Sequence, residues 1–103
     1  MKATAHHLTK ATMMTILKNH RQDLKVLGVK KIGLFGSFAH GQHSKKSDLD
    51  FIIVLEKESF DAYMDIKFLL ERLFKRKVDL VLEQSLKPQL RYVKEEAVYA
   101  TGF

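Results

Sequence analysis

Apolar residues along this chain fall first at helical spacing, then in two strand-like runs parted by a polar loop, then at helical spacing again. Met13, Ile16, Leu17, Leu24 and Leu27 share one stripe of a helix predicted from about Lys10 to Leu27. Thr9 is its N-cap and Gly28 its stop, and Met13 and Met14 read as core filler. Val29 to Phe35 reads as a strand that Gly36 breaks, and residues 36–47 as a loop with at most one short helix. Leu49 to Leu55 is a second strand. It is apolar on both faces after Asp50, which predicts a central, covered position.

Ser59 caps the next helix, with Asp61 in its first turn and Tyr63, Met64, Leu70, Leu73 and Phe74 on its buried stripe. Lys75, Arg76 and Lys77 suit its C-terminal end, and Val78 to Leu82 is a third strand. Pro88 opens a last helix over 88–98, with Leu86, Leu90, Val93 and Ala97 turned inward. This order predicts an α+β fold: a small mixed β-sheet with helices packed on one face. Residues 1–103 form a single domain, of which 1–8 are expected to be a flexible tail. His6 and His7 belong to that tail rather than to a metal site.

Composition narrows the functional classes. A net charge of +6 and a pI near 9.6 favour a polyanionic ligand or an acidic partner, or else describe a solvated lysine-rich surface. The basic residues are scattered and no aromatic-studded RNA-binding signature accompanies them, so direct nucleic-acid binding is not expected. No apolar run reaches the ~18 residues that would span a bilayer, and the start lacks a signal-peptide core. There is no cysteine, hence no disulfide and no thiolate metal site. A cytoplasmic, membrane-free setting fits.

The chemistry concentrates around the loop. Asp48 and Asp50 open the second strand two residues apart, so both point to one face with Cα atoms about 6.6–7 Å apart. Carboxylates converging from that spacing can hold Mg²⁺ ions about 3.5–4 Å apart. Asp79 is the one acid in the third strand and faces away from Val78, Leu80 and Leu82. If that strand pairs beside the second, Asp79 lands next to Asp48 and Asp50 and completes a clamp whose repulsion favours a dication. At Gly36 the missing Cβ lets backbone approach a phosphate, and Ser37 can donate its hydroxyl. Alone, a Gly-Ser pair is a turn, an Asp before a strand is a cap, and Asp79 is an edge charge. Their order and spacing together point to nucleotidyl transfer. His40 and His43 in the loop are either ligands or solvent-exposed, and no base partner accompanies Ser37 to suggest a hydrolase.

Gly36-Ser37, Gly41 and Ser47-Asp48-Leu49-Asp50 resemble the Gly-Ser-x-x-x-Gly and Ser-Asp-x-Asp signature of the DNA polymerase β-type nucleotidyltransferase superfamily. The likeness is closest to its minimal nucleotidyltransferase (MNT) members and extends over nearly the whole chain, through Val78-Asp79-Leu80 and Leu86-Lys87-Pro88 to Glu96-Ala97-Val98-Tyr99. The resemblance implies a palm-like fold, Asp48, Asp50 and Asp79 as catalytic Mg²⁺ ligands, and ATP as donor. It also implies Gly36, Ser37, His40 and Ser47 at the nucleotide, with two Mg²⁺ ions when it is bound. His40 departs from the pattern, which often has Arg there, and it is only partly charged at neutral pH. The resemblance further implies an antitoxin that moves AMP to a tyrosine of a HEPN-family ribonuclease toxin, the partner supplying the acceptor surface. The rivals are a non-catalytic subunit that neutralises its partner by contact, and nucleotidyl transfer to a small molecule or an RNA end.

Overall fold

The computed structural model describes residues 8–36, 39 and 48–103. Helices α1 (Lys10–Asn19) and α2 (Arg21–Val26) lead into strand β1 (Val29–Phe35). Strand β2 (Leu49–Leu55), helix α3 (Phe60–Phe74) and strand β3 (Val78–Leu82) follow, then α4 (Tyr92–Glu96) and β4 (Val98–Tyr99). The described strands form one sheet in the order β3-β2-β1-β4. β1 runs antiparallel to β2 and β4, while β2 and β3 are parallel, so the sheet is mixed and β2 is interior, as its apolar run predicts.

Alternation divides the sheet into two faces. On the first, Ile32 and Leu34 of β1 stand beside Ile53 and Phe51 of β2, followed by Leu80 of β3. Met13, Leu17 and Leu24 from α1 and α2 and Ile66, Leu70 and Phe74 from α3 close this core. The Phe51 and Phe74 rings lie 5.5 Å apart, which seats the end of α3 on the middle of β2. Val29 also joins the core, although strict alternation would turn it away from Ile32. A register shift between Val29 and Lys31 restores it, the extra residue being taken up at exposed Lys30. Both long helices begin as the sequence predicts, since the Thr9 hydroxyl accepts from the Thr12 N–H and the Ser59 hydroxyl from the Ala62 N–H.

Three expectations are corrected. The first helix is two: the backbone leaves helical geometry at His20 (φ −108°, ψ 18°), and the His20 ring pairs with Asp23 at 3.2 Å. Asn19 and His20 are weak helix formers, and the apolar stripe continues across the break because Leu24 still reaches the core. The last helix is also shorter than 88–98. A single 3₁₀ turn at Pro88–Leu90 precedes α4, and Ala97 is extended (ψ 142°), so Val98 and Tyr99 become an edge strand. Leu90 is then exposed and Val93 buried. Finally, Leu8 lies in the core at 7% exposure and is no part of a tail; residues 1–7 lie outside the described residues. Among the described residues, no helix is long and apolar enough to cross a membrane.

Candidate active site

The second face of the sheet carries the chemistry. Asp50 of β2 and Asp79 of β3 are direct cross-strand partners. Two carboxylates on adjacent parallel strands, about 4.8 Å apart along the hydrogen-bonding direction, therefore rise from one face. Asp48 precedes β2 by one residue and lies exposed at the same end. The pairing that the sequence left conditional is thus present, and it brings Asp79 to the other two. It follows from α3, which spans the crossover needed to return a parallel strand beside β2.

Partial burial, with like charge behind it, sets the electrostatics at Asp50. Burial pushes the Asp50 carboxyl up from its ordinary value to about 6, and the charges of Asp79 and Asp48 push the same way. Among the described residues no group of three or more His, Cys, Asp or Glu is gathered closely enough to hold a metal ion. The three aspartates form a face of neighbouring carboxylates, not a closed cage. Their chemistry fits a hard dication: all the donors are oxygens, and a cation would relieve the repulsion that adds to burial in raising Asp50.

Gly36 adjoins this face. It ends β1 next to Phe35, the cross-strand partner of Asp50, and turns with φ +75°. A Cβ there would overlap Oδ2 of Asp50. A concavity of about 280 Å³ opens at the same turn, walled by Phe35, Tyr92, Val93 and Glu96. A larger one of about 650 Å³ lies between α2 and α3 and contains none of the candidate residues. Ser37, His40, Gly41, His43 and Ser47 lie outside the described residues.

Residues outside the aspartate and Gly-Ser motifs support this face. Glu83 accepts from the Tyr99 hydroxyl at 3.0 Å and pairs with Lys31 at 3.7 Å and Lys94 at 3.4 Å. Lys31 also lies over the Tyr99 ring, 4.4 Å from its centroid. The Lys94–Glu83 pair draws α4 towards the second face, while the longer helices cover the first. Burial raises the Tyr99 hydroxyl to about 12, helped by the hydrogen bond and charge of Glu83. Tyr63 donates to the Leu80 carbonyl at 2.6 Å, and its hydroxyl is raised by burial and then by Asp79. The available signal for Tyr63 and Tyr99 was chemical: a half-buried tyrosine hydroxyl needs a partner.

A mixed sheet with a Gly turn beside paired strand aspartates is the arrangement that the resemblance to nucleotidyltransferases implies. The family model described as nucleotidyltransferase domain matches residues 14–100, and the chain belongs to that family. It is 35% identical over 95 residues to "Protein adenylyltransferase MntA" of Thermococcus cleftensis, covering 89% of this chain and 96% of that protein. A solved structure provisionally assigned as a minimal nucleotidyltransferase superposes with a TM-score of 0.77 at 30% identity, over 89% of this chain and 96% of the other. A chain from the solved complex of a tri-AMPylated Shewanella oneidensis HEPN toxin with MNT antitoxin shares the fold. Its TM-score is 0.62 at 21% identity, over 88% of this chain and 74% of the other.

Proposed function

We propose that this nucleotidyltransferase is a Mg²⁺-dependent protein adenylyltransferase that transfers AMP from ATP to a tyrosine hydroxyl of a cognate HEPN-family toxin. It would thereby act as a cytoplasmic antitoxin. The observation that carries the reading is the cross-strand pairing of Asp50 with Asp79 beside Asp48 and the Gly36 turn. The name of the Thermococcus relative and the HEPN–MNT complex support the acceptor and the partner.

In this reading Asp48, Asp50 and Asp79 would hold the dications, which when bound would supply positive charge to offset the charge that develops on the phosphates. Gly36, Ser37, His40 and Ser47 line the triphosphate. The acceptor oxygen bonds to the α-phosphorus, the α–β phosphoanhydride breaks, pyrophosphate leaves, and the hydroxyl proton passes to solvent. The chain's own work is positioning: two strands present the carboxylates, and the turn keeps one side of Asp50 clear for the donor.

The test is to incubate this protein, ATP and Mg²⁺ with the HEPN protein encoded beside it. Toxin tyrosine should gain AMP in mass steps, and ribonuclease activity should fall. Asp48→Asn combined with Asp50→Asn should abolish both while the fold persists. Neutralisation without any mass change would identify a contact-only antitoxin. No interaction at all would move the acceptor to a small molecule or an RNA end.

A further inference from the structure

β3 carries Asp79, yet it is the sheet's outer strand on that side, and an edge strand is prone to fraying and slippage. Its inner edge is secured by β2. The Leu49 N–H donates to the Lys77 carbonyl at 3.0 Å, and the register runs from Leu49↔Val78 to Ile53↔Leu82. In a parallel ladder successive residues turn their backbone groups alternately to the two sides. Lys77 and Asp79 therefore face β2, and the backbone groups of Val78 and Leu80 face outward.

Both outward residues are held by α3. The Val78 N–H donates to Oε2 of Glu71 at 3.0 Å, and the Leu80 carbonyl accepts from the Tyr63 hydroxyl at 2.6 Å. Tyr63 and Glu71 stand eight residues apart on α3, little more than two turns. One side chain thus supplies the acceptor, and the other the donor, that a further strand would have supplied. They grip the two residues that flank Asp79.

We infer that Tyr63 and Glu71 are positioning residues: a two-point clamp on the free edge of β3 that fixes Asp79 in register beside Asp50. The clamp itself is a statement about the protein without ligand, and its consequence for catalysis rests on the adenylyltransferase reading. A one-residue slip of β3 would turn Asp79 to the opposite face and place an apolar neighbour beside Asp50, so the site depends on a register that the edge alone secures weakly.

Tyr63→Phe removes only the hydroxyl. Glu71→Ala removes the acceptor, whereas Glu71→Gln keeps a side-chain oxygen for the Val78 N–H and serves as the conservative rescue. In the metal-free protein, NMR should show the cross-strand contacts between Asp50 and Asp79 weakened in Tyr63→Phe with Glu71→Ala and retained in Glu71→Gln. Mn²⁺ binding in the presence of a non-hydrolysable ATP analogue, followed by loss of the free-ion EPR signal, should weaken about tenfold in Tyr63→Phe and remain near wild type in Glu71→Gln. Unchanged Asp50–Asp79 contacts in the folded double variant would overturn the clamp. Intact contacts in the wild-type protein without Mn²⁺ binding would instead sink the adenylyltransferase reading and leave the clamp standing. Weakened contacts with wild-type Mn²⁺ affinity would overturn the positioning role and leave the pair as an edge cover alone.

Discussion

Gly36 and Asp50 exclude one another's growth: a Cβ on Gly36 would overlap the Asp50 Oδ2 and stand 2.9 Å from its Cγ. The left-handed backbone of Gly36 (φ +75°) is a second demand for glycine at this turn. Absence of a Cβ thus serves the carboxylate directly, in addition to the access that a phosphate would need.

Gly36→Ala should therefore lower stability and nucleotide affinity together. The strained φ costs about 1–2 kcal/mol, and the overlap turns Asp50 out of its position. Gly28→Ala is the control. Gly28 also has a positive φ (+97°), but nothing lies within 4 Å of its missing Cβ. Its melting temperature should fall with ATP-analogue affinity intact by calorimetry. Equal affinity losses in the two variants would show that Gly36 acts through global stability and not through Asp50.

Sequence patterning located the three longer strands, the α3 cap and the Asp50–Asp79 face, because period-two alternation and an isolated acid in an apolar run survive without knowledge of tertiary contacts. What it missed depends on such contacts. Val98-Tyr99 is too short to announce a strand and becomes one because Gly33 leaves room for the Tyr99 ring and the Ala100 N–H reaches the Ile32 carbonyl at 2.9 Å. The His20 break was hidden because Leu17 and Leu24 stay on one stripe across it. Glu71, one acid on an amphipathic helix, gave no sign that its partner would be the Val78 N–H.

Asp50→Asn should separate stability from function. The substitution removes a half-buried charge that two like charges oppose, so the metal-free protein should melt higher at pH 7. Mg²⁺-dependent transfer should be lost. Differential scanning calorimetry beside an AMP-transfer assay checks both, and a lower melting temperature in the variant would mean that Asp50 already has a compensating partner.

Gly33→Val should detach β4. A Cβ at Gly33 would come within 2.9 Å of Cδ1 of Tyr99, and the three atoms nearest to it all belong to that ring. Loss of that packing frees Tyr99 from Glu83, which should cost about 1–3 kcal/mol through the unpaired groups left behind. Amide exchange at Tyr99 and Ala100 should accelerate well before that at Phe51 or Ile53. Uniform acceleration across the sheet would show that β4 is integral to the core and not an attached edge.

The stability of the metal-free protein should peak in mildly acid solution, because two carboxyls oppose each other in sign. Asp50 has a folded pKa of about 6 against 3.8 as the ordinary value. Between those values the folded state holds more protons than the unfolded one, so stability falls as pH rises from about 4 to about 6 and is level above. Glu83 behaves in the opposite way. Burial raises it, but the Tyr99 hydroxyl, Lys31 and Lys94 outweigh burial and hold it below its ordinary value. Its contribution is complete above the ordinary carboxylate range and is lost as pH falls through the lowered value. Melting curves across this range should show the maximum in wild type. The slope between pH 4 and 6 should flatten in Asp50→Asn, and the fall at lower pH should shrink in Glu83→Gln. A wild-type profile that rises steadily from pH 4 to 7 would show that Asp50 is ionised without cost and that the repulsion assigned to the three aspartates is absent.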